Sequence, residues 1–162
     1  MKKILIIIGI VVAIIVAFAI FFAMQATPGY VLNVVRAESL EVVNGTVTVP
    51  AKYTVIESEA FAGKIDFDSV VIEGETEIRE RAFYGCPNLK EVVIKDACDI
   101  GELAFGDCPE LMVVTIESVG GDCAENAFDG HGGVLIRFPA DSPALFVAQA
   151  NDMSYSIIDG EE

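Results

Sequence analysis

Between residues 60 and 128 four Ala-Phe pairs recur at a near-constant spacing, with Phe at 61, 83, 105 and 128, so that the intervals are 22, 22 and 23 residues. A period of about 20–29 residues is the mark of a stacked-repeat solenoid, in which no unit can bury its apolar face alone and each is covered by the next. This feature dictates the fold class and argues against catalysis. It does not name a partner.

The residues around each Phe repeat with it. Five positions before stand Ile56, Ile78, Ile100 and, in the last copy, Cys123; six positions after stand Phe67, Leu89, Leu111 and Val134. Two copies align without a gap, Val71 to Leu89 and Val93 to Leu111. Beyond the Phe, Leu-x-x-Val-x-Ile recurs as Leu89, Val92, Ile94 and Leu111, Val114, Ile116, with Phe67, Val70 and Ile72 ahead of them. The Val and Ile alternate with period two, as a strand with one buried face requires. The Ala-Phe segment is short and bounded by Gly and Pro, which predicts a helical or 3₁₀ turn on the opposite side. One repeat then reads strand, bend, short helical turn, return. The strands stack into a parallel sheet on one face, and the Phe rings form an internal ladder.

Ile78-Arg79-Glu80-Arg81-Ala82-Phe83-Tyr84-Gly85-Cys86-Pro87-Asn88-Leu89 and its copy from Ile100 to Leu111 carry a family likeness. They resemble the BspA-type leucine-rich repeats, mostly of bacterial and some protozoan surface proteins, whose pattern runs roughly Val-x-Ile-Pro, then Ile-Gly-Glu-x-Ala-Phe-x-Gly-Cys-x-x-Leu. Val47-Thr48-Val49-Pro50 is similar to the opening strand. The fourth copy departs, with Cys123 for Ile, His131 for Cys and an extra residue near Gly120-Gly121. The resemblance spans roughly residues 46–158. It implies an α/β solenoid of about four leucine-rich repeats and a role in surface recognition or adhesion rather than catalysis.

Both ends carry capping signals. Asn44-Gly45 lies between two β-rich runs and predicts a type I′ hairpin in front of the first repeat. At the back, Phe138-Pro139 leads to Ser142, an N-cap candidate, and Pro143, suited to a first helical turn, ahead of Ala144–Ala150. Tyr155–Ile158 reads as a closing strand, a strand–helix–strand ending that also resembles the family's last unit. A capped, complete repeat domain over residues 40–159 is the expectation.

Ahead of it, Ile4 to Met24 is a run of 21 residues without a charge, preceded by Lys2 and Lys3. At 1.5 Å per residue such a helix is about 31 Å long, the thickness of a bilayer core. The lysines favour a cytoplasmic N-terminus. Residues 1–25 are therefore read as a transmembrane signal anchor and 26–39 as a tether, with the repeats outside the cell. A cleaved signal peptide is the alternative; its apolar core is normally about 7–15 residues. Ala17-Phe18-Ala19 fits small-x-small, but cutting there leaves Ile20-Phe21-Phe22 exposed.

The formal charge is −15, and setting Lys2 and Lys3 aside leaves 8 basic against 25 acidic residues, a charge of −17. Such a surface repels phosphate, which excludes nucleic acid and anionic headgroups as natural partners. An extracellular or envelope protein, or a glycan, remains.

The titratable residues mostly fall into the repeat. Cys86 and Cys108 share one position, so they stack about 4.8 Å apart, close enough for a disulfide in an oxidising compartment. They serve equally as small buried hydrophobes, and the family resemblance favours packing. Cys98 and Cys123 are two positions out of register, and no C-x-x-C zinc pattern occurs. Glu80, Glu102 and Glu125 form one acidic ladder, and Glu77, Asp99 and Asp122 another. Calcium is one way to relieve their repulsion; solvation and the dipole of a following helical turn are a simpler one. His131 is the single histidine, flanked by glycines and without a partner nucleophile. No catalytic residue, metal ligand or cofactor is expected.

The residues left over by the repeat point outward between the buried Val and Ile. Thr48, Val71, Glu91, Val93, Lys95, Val113 and Thr115 form the expected binding strip, exposed on the strand face. β-Branched neighbours also stabilise a parallel sheet with no partner at all.

Overall fold

The structure, a computed structural model, describes residues 30–130 and 133–158. The chain divides into two compact units, and the second, Val31–Glu162, carries the repeats. The expected membrane span at 4–24 and His131 lie outside the described residues. Among the described residues no helix is long and apolar enough to cross a membrane.

In chain order the elements are β1 (Tyr30–Leu32), α1 (Val34–Ala37), β2 (Val42–Val43), β3 (Thr46–Val49), β4 (Tyr53–Ile56), β5 (Ser69–Ile72), β6 (Thr76–Ile78), β7 (Glu91–Ile94), β8 (Cys98–Ile100), β9 (Val113–Ile116), β10 (Leu135–Phe138), α2 (Ala144–Ala150) and β11 (Ser154–Ile157). The larger sheet runs β11-β10-β9-β7-β5-β3-β2 and the smaller β1-β4-β6-β8. In the larger one, β3, β5, β7, β9, β10 and β11 are mutually parallel rungs, with β2 antiparallel at the β3 edge.

Three expectations are corrected here. Six rungs replace the expected four repeats, because β10 and β11 belong to turns without Ala-Phe; α2 closes the turn after β10 instead. Two parallel sheets replace one. Ile56, Ile78 and Ile100 end β4, β6 and β8, and a parallel bridge from Ile100 to Cys123 extends the same ladder. Strands of three residues with a buried, exposed, buried pattern are too short to register as periodic in a sequence. The third correction concerns the Ala-Phe corner, which is not helical. Glu59, Arg81 and Leu103, each two residues before a Phe, are left-handed, with φ of 60°, 58° and 52°. A left-handed residue interrupts a right-handed helix. The Phe N–H groups then bond across turns: Phe61 to the Ala82 carbonyl at 2.8 Å, Phe83 to Ala104 at 2.8 Å and Phe105 to Ala127 at 3.0 Å. A helix would have used those donors internally. Here they make a third ladder between successive turns.

The front hairpin forms as Asn-Gly predicts, with Asn44 and Gly45 at φ of 52° and 82° and Val43 paired to Thr46. The segment expected as tether is partly core, however. Leu32 is fully buried and Ala37 is 5% exposed. The Leu32 carbonyl accepts the Glu57 N–H at 2.9 Å, so the folded domain begins ahead of residue 40. At the back, Ser142 is buried and its hydroxyl accepts the Ala144 N–H at 3.3 Å at the head of α2.

Inside, the Phe ladder is continuous. Phe61, Phe83, Phe105 and Phe128 stack nearly parallel, with centroid separations of 4.7, 5.1 and 5.6 Å. Each such pair contributes about 0.5–1.5 kcal/mol beyond the area it buries. The inward Val and Ile of each rung fill the space between this ladder and the larger sheet, and both belong to one apolar core.

Candidate functional site

Strand register decides which outward residues meet. Thr48, Val71, Val93 and Thr115 are aligned across β3, β5, β7 and β9, and the row continues through Arg137 on β10 to Ser156 on β11. Glu91 and Val113 are one row away, in line with Thr46, Ser69, Leu135 and Ser154. Lys95 lies just past β7, its N–H bonded to the Ile72 carbonyl, as Glu73 and Glu117 are bonded to Val49 and Ile94 on neighbouring turns. All seven expected residues therefore share one face, but in three rows. Thr48, Glu91 and Lys95 are exposed, whereas Val71, Val93, Val113 and Thr115 are half-buried by their neighbours. The apolar part of the face is accordingly modest.

At the strand beginnings on this side lies an open groove of about 440 Å³ lined by Asp68, Ser69, Lys90, Glu91, Met112, Val113 and Arg137. Met112 is 56% exposed there. Neither Lys90 nor Arg137 is in an ion pair among the described residues. The groove thus sets an exposed apolar side chain, Met112, among two cations and two carboxylates, Asp68 and Glu91. Met112 was legible: Asp68 and Lys90 occupy its position in the preceding repeats, and a large apolar residue there stands out. Arg137 was not, because the register slips by one residue in this turn: ten positions after Phe105 stands Thr115, but ten after Phe128 stands the buried Phe138.

The smaller sheet presents the opposite character. Glu77, Asp99 and Asp122 do form a ladder, but its members have local partners: Arg79 bonds Glu57 at 2.9 Å and Glu77 at 3.1 Å, and Asp99 accepts the Asp122 N–H at 2.9 Å. Among the described residues no three His, Cys, Asp or Glu side chains converge to hold a metal ion.

All four cysteines are free. Cys86 and Cys108 are fully buried, and their thiols donate to the Phe61 and Phe83 carbonyls, each at 3.1 Å. The neighbouring Cys108 thiol pushes Cys86 up, with burial adding to it, because two adjoining buried thiols resist ionising together. Burial pushes Cys98 and Cys123 each up to about 12, next to Asp99 and Asp122 respectively. These thiols are poor nucleophiles at neutral pH. They also set a pH limit on the fold. A folded-state value raised from 9.0 to about 12 means stability that is full below about 9 and lost as pH rises towards 12. Urea unfolding across that window should show midpoints falling with pH, by up to about 1.4 kcal/mol per unit for each thiol. Cys98→Ala should flatten the slope; an unchanged slope would mean that other groups carry it.

The comparisons agree with this architecture. Residues 43–141 match the BspA type leucine rich repeat region, in six copies. No curated protein and no solved structure matches the chain. With more than half of its residues inside that match and with parallel rungs stacked in register, the chain belongs to the BspA-type leucine-rich-repeat family.

Proposed function

We propose that this protein is a non-catalytic cell-surface binding module that presents its larger sheet to an extracellular or envelope protein, or to a glycan. The observation that carries the reading is the alignment of Thr48, Val71, Val93 and Thr115 in one row beside the groove of Met112, Lys90 and Arg137. Repeat solenoids recognise partners through such extended faces. Family membership supports a repeat-based binding or surface module; adhesion is our extension of it. Residues 4–24 would hold the chain in the membrane as a single span, with Lys2 and Lys3 inside and the repeats outside.

The test uses the full-length chain displayed on cells and probed with a panel of secreted proteins and glycans. Val93→Lys puts a charge at the middle of the row and should abolish a specific interaction while leaving the melting temperature within about 2 °C, as for a surface change. Retained binding with an intact fold would retire this face. Protease added from outside should remove the repeats, and the intact mass should include residues 1–25. A mass lacking them would replace the anchor by a cleaved signal.

A membrane scaffold pairing with another envelope protein is the second reading, favoured by the long uncharged run from Ile4 to Met24. Replacing that run by leucines keeps a recognition module active but disrupts a scaffold that pairs through its membrane helix.

A further inference from the structure

Among the described residues the larger sheet ends on an uncovered rung, β11. Along the larger sheet the inward pair of every rung is buried, up to Ile136 and Phe138 on β10, which are fully inaccessible. Tyr155 and Ile157 hold the same register on β11, and the Tyr155 ring stacks on Phe138 at 5.7 Å, yet they are 42% and 45% exposed. Their backbone is open as well. The Ile158 N–H donates to the Phe138 carbonyl at 2.9 Å, so by strand alternation the peptide groups of Tyr155 and Ile157 point away from β10. The opposite edge of the sheet differs, since there the two-residue β2 runs antiparallel and blunts it.

Charge indicates what fits. At the head of β11 is a small pocket of about 80 Å³, lined by Glu125, Phe128, Asp129, Gly130, Asn151 and Met153. It contains two carboxylates and no cation, and neither carboxylate is in an ion pair among the described residues. Asn151 fixes its wall by donating to the Glu125 carbonyl at 2.6 Å. A strand laid parallel on β11 would bring the residue two ahead of its first inward position level with Met153, beside these acids.

We propose that β11 takes up an extended segment of a partner protein as a further parallel rung. That segment carries β-branched or aromatic residues at alternate positions and a Lys or Arg two residues ahead of the first. Main-chain bonds to the open edge supply affinity, while the inward pair and the cation supply selectivity. A second copy of this chain fits poorly. Its net charge is −15, and its own β11 is followed by Asp159, Glu161 and Glu162. This edge is separate from the strand face proposed above, so either can fail alone.

The probe is a fluorescein-labelled peptide of residues 87–96, in which Val92 and Ile94 are the alternating pair and Lys90 precedes them by two. Full-length protein in detergent micelles is titrated against it by anisotropy, up to millimolar concentration. Saturable binding is expected. Ile157→Pro removes an outward donor without touching the bonds to β10, and should weaken binding about tenfold or more at unchanged melting temperature. Asp129→Lys should weaken it about threefold, and a peptide carrying Lys90→Glu should recover the loss on that variant. Absence of saturable binding, or binding indifferent to both substitutions, overturns the proposal. Self-association in sedimentation that Ile157→Pro abolishes would assign the edge to a second copy and overturn the partner named here.

Discussion

Phe83→Ala is expected to lower the melting temperature by about 10–20 °C, from a loss of about 3–5 kcal/mol for an aromatic ring removed from a packed core. Phe83 is fully buried and stacked on both sides, 4.7 Å from Phe61 and 5.1 Å from Phe105. Truncation removes both ring contacts and leaves a void in a middle turn. In a solenoid each turn touches only its neighbours, so a hole there weakens the coupling between the two halves. Domains of this size are stable by only about 5–15 kcal/mol, which makes the loss a large share of the total. Phe128 supplies the control. It has one ring neighbour in the ladder, Phe105 at 5.6 Å, and it borders the pocket at the head of β11. Phe128→Ala should therefore cost distinctly less, because water can reach the space vacated. Calorimetry on both variants reads the difference; equal losses would show that ring stacking along the ladder contributes little.

Gly121→Ala should destabilise the domain by about 3 kcal/mol or more, through overpacking against backbone combined with a strained φ. Gly121 belongs to the one 23-residue interval, and its backbone is at φ +93°. A Cβ there would stand 2.5 Å from the Cys98 carbonyl carbon and 2.6 Å from its nitrogen, and closer still to its oxygen. None of those atoms can move without disturbing β8. Gly85 separates the two causes: its φ is +66° and a Cβ would meet nothing within 4 Å. Gly85→Ala thus bears only the left-handed penalty, about 1–2 kcal/mol. Urea midpoints for the pair test the assignment. If both variants lose the same amount, the extra residue is absorbed by the loop and the close approach to Cys98 is not a constraint.

Much of the fold was legible at the level of single positions. The Phe ladder, the Val and Ile rungs, the Asn44-Gly45 hairpin and the helix after Pro143 all stand where the residues put them, because each rests on a short-range rule. The strand face was partly legible: alternation placed Thr48, Val71, Val93 and Thr115 outward, but could not tell how far neighbouring rungs cover them. Leu32 escaped because one apolar residue in a short segment has no period. Met112 is apolar where Asp68 and Lys90 stand in the preceding repeats, but it precedes β9 by one residue, so strand alternation does not mark it as exposed.

The Ala-Phe interval of 22 residues by itself determined that this chain is a solenoid and which residues face its core, since only stacking can cover faces that repeat at that spacing. Tertiary structure decided the number of turns, the second sheet and the character of the corners. Those depend on where each peptide N–H finds its acceptor, and at these corners the acceptor lies one turn away, 21 residues along the chain, as in Phe61 to Ala82 and Phe83 to Ala104. A local pattern cannot choose between a partner four residues back and one on the next turn. Packing makes that choice, and with it leaves β11 open.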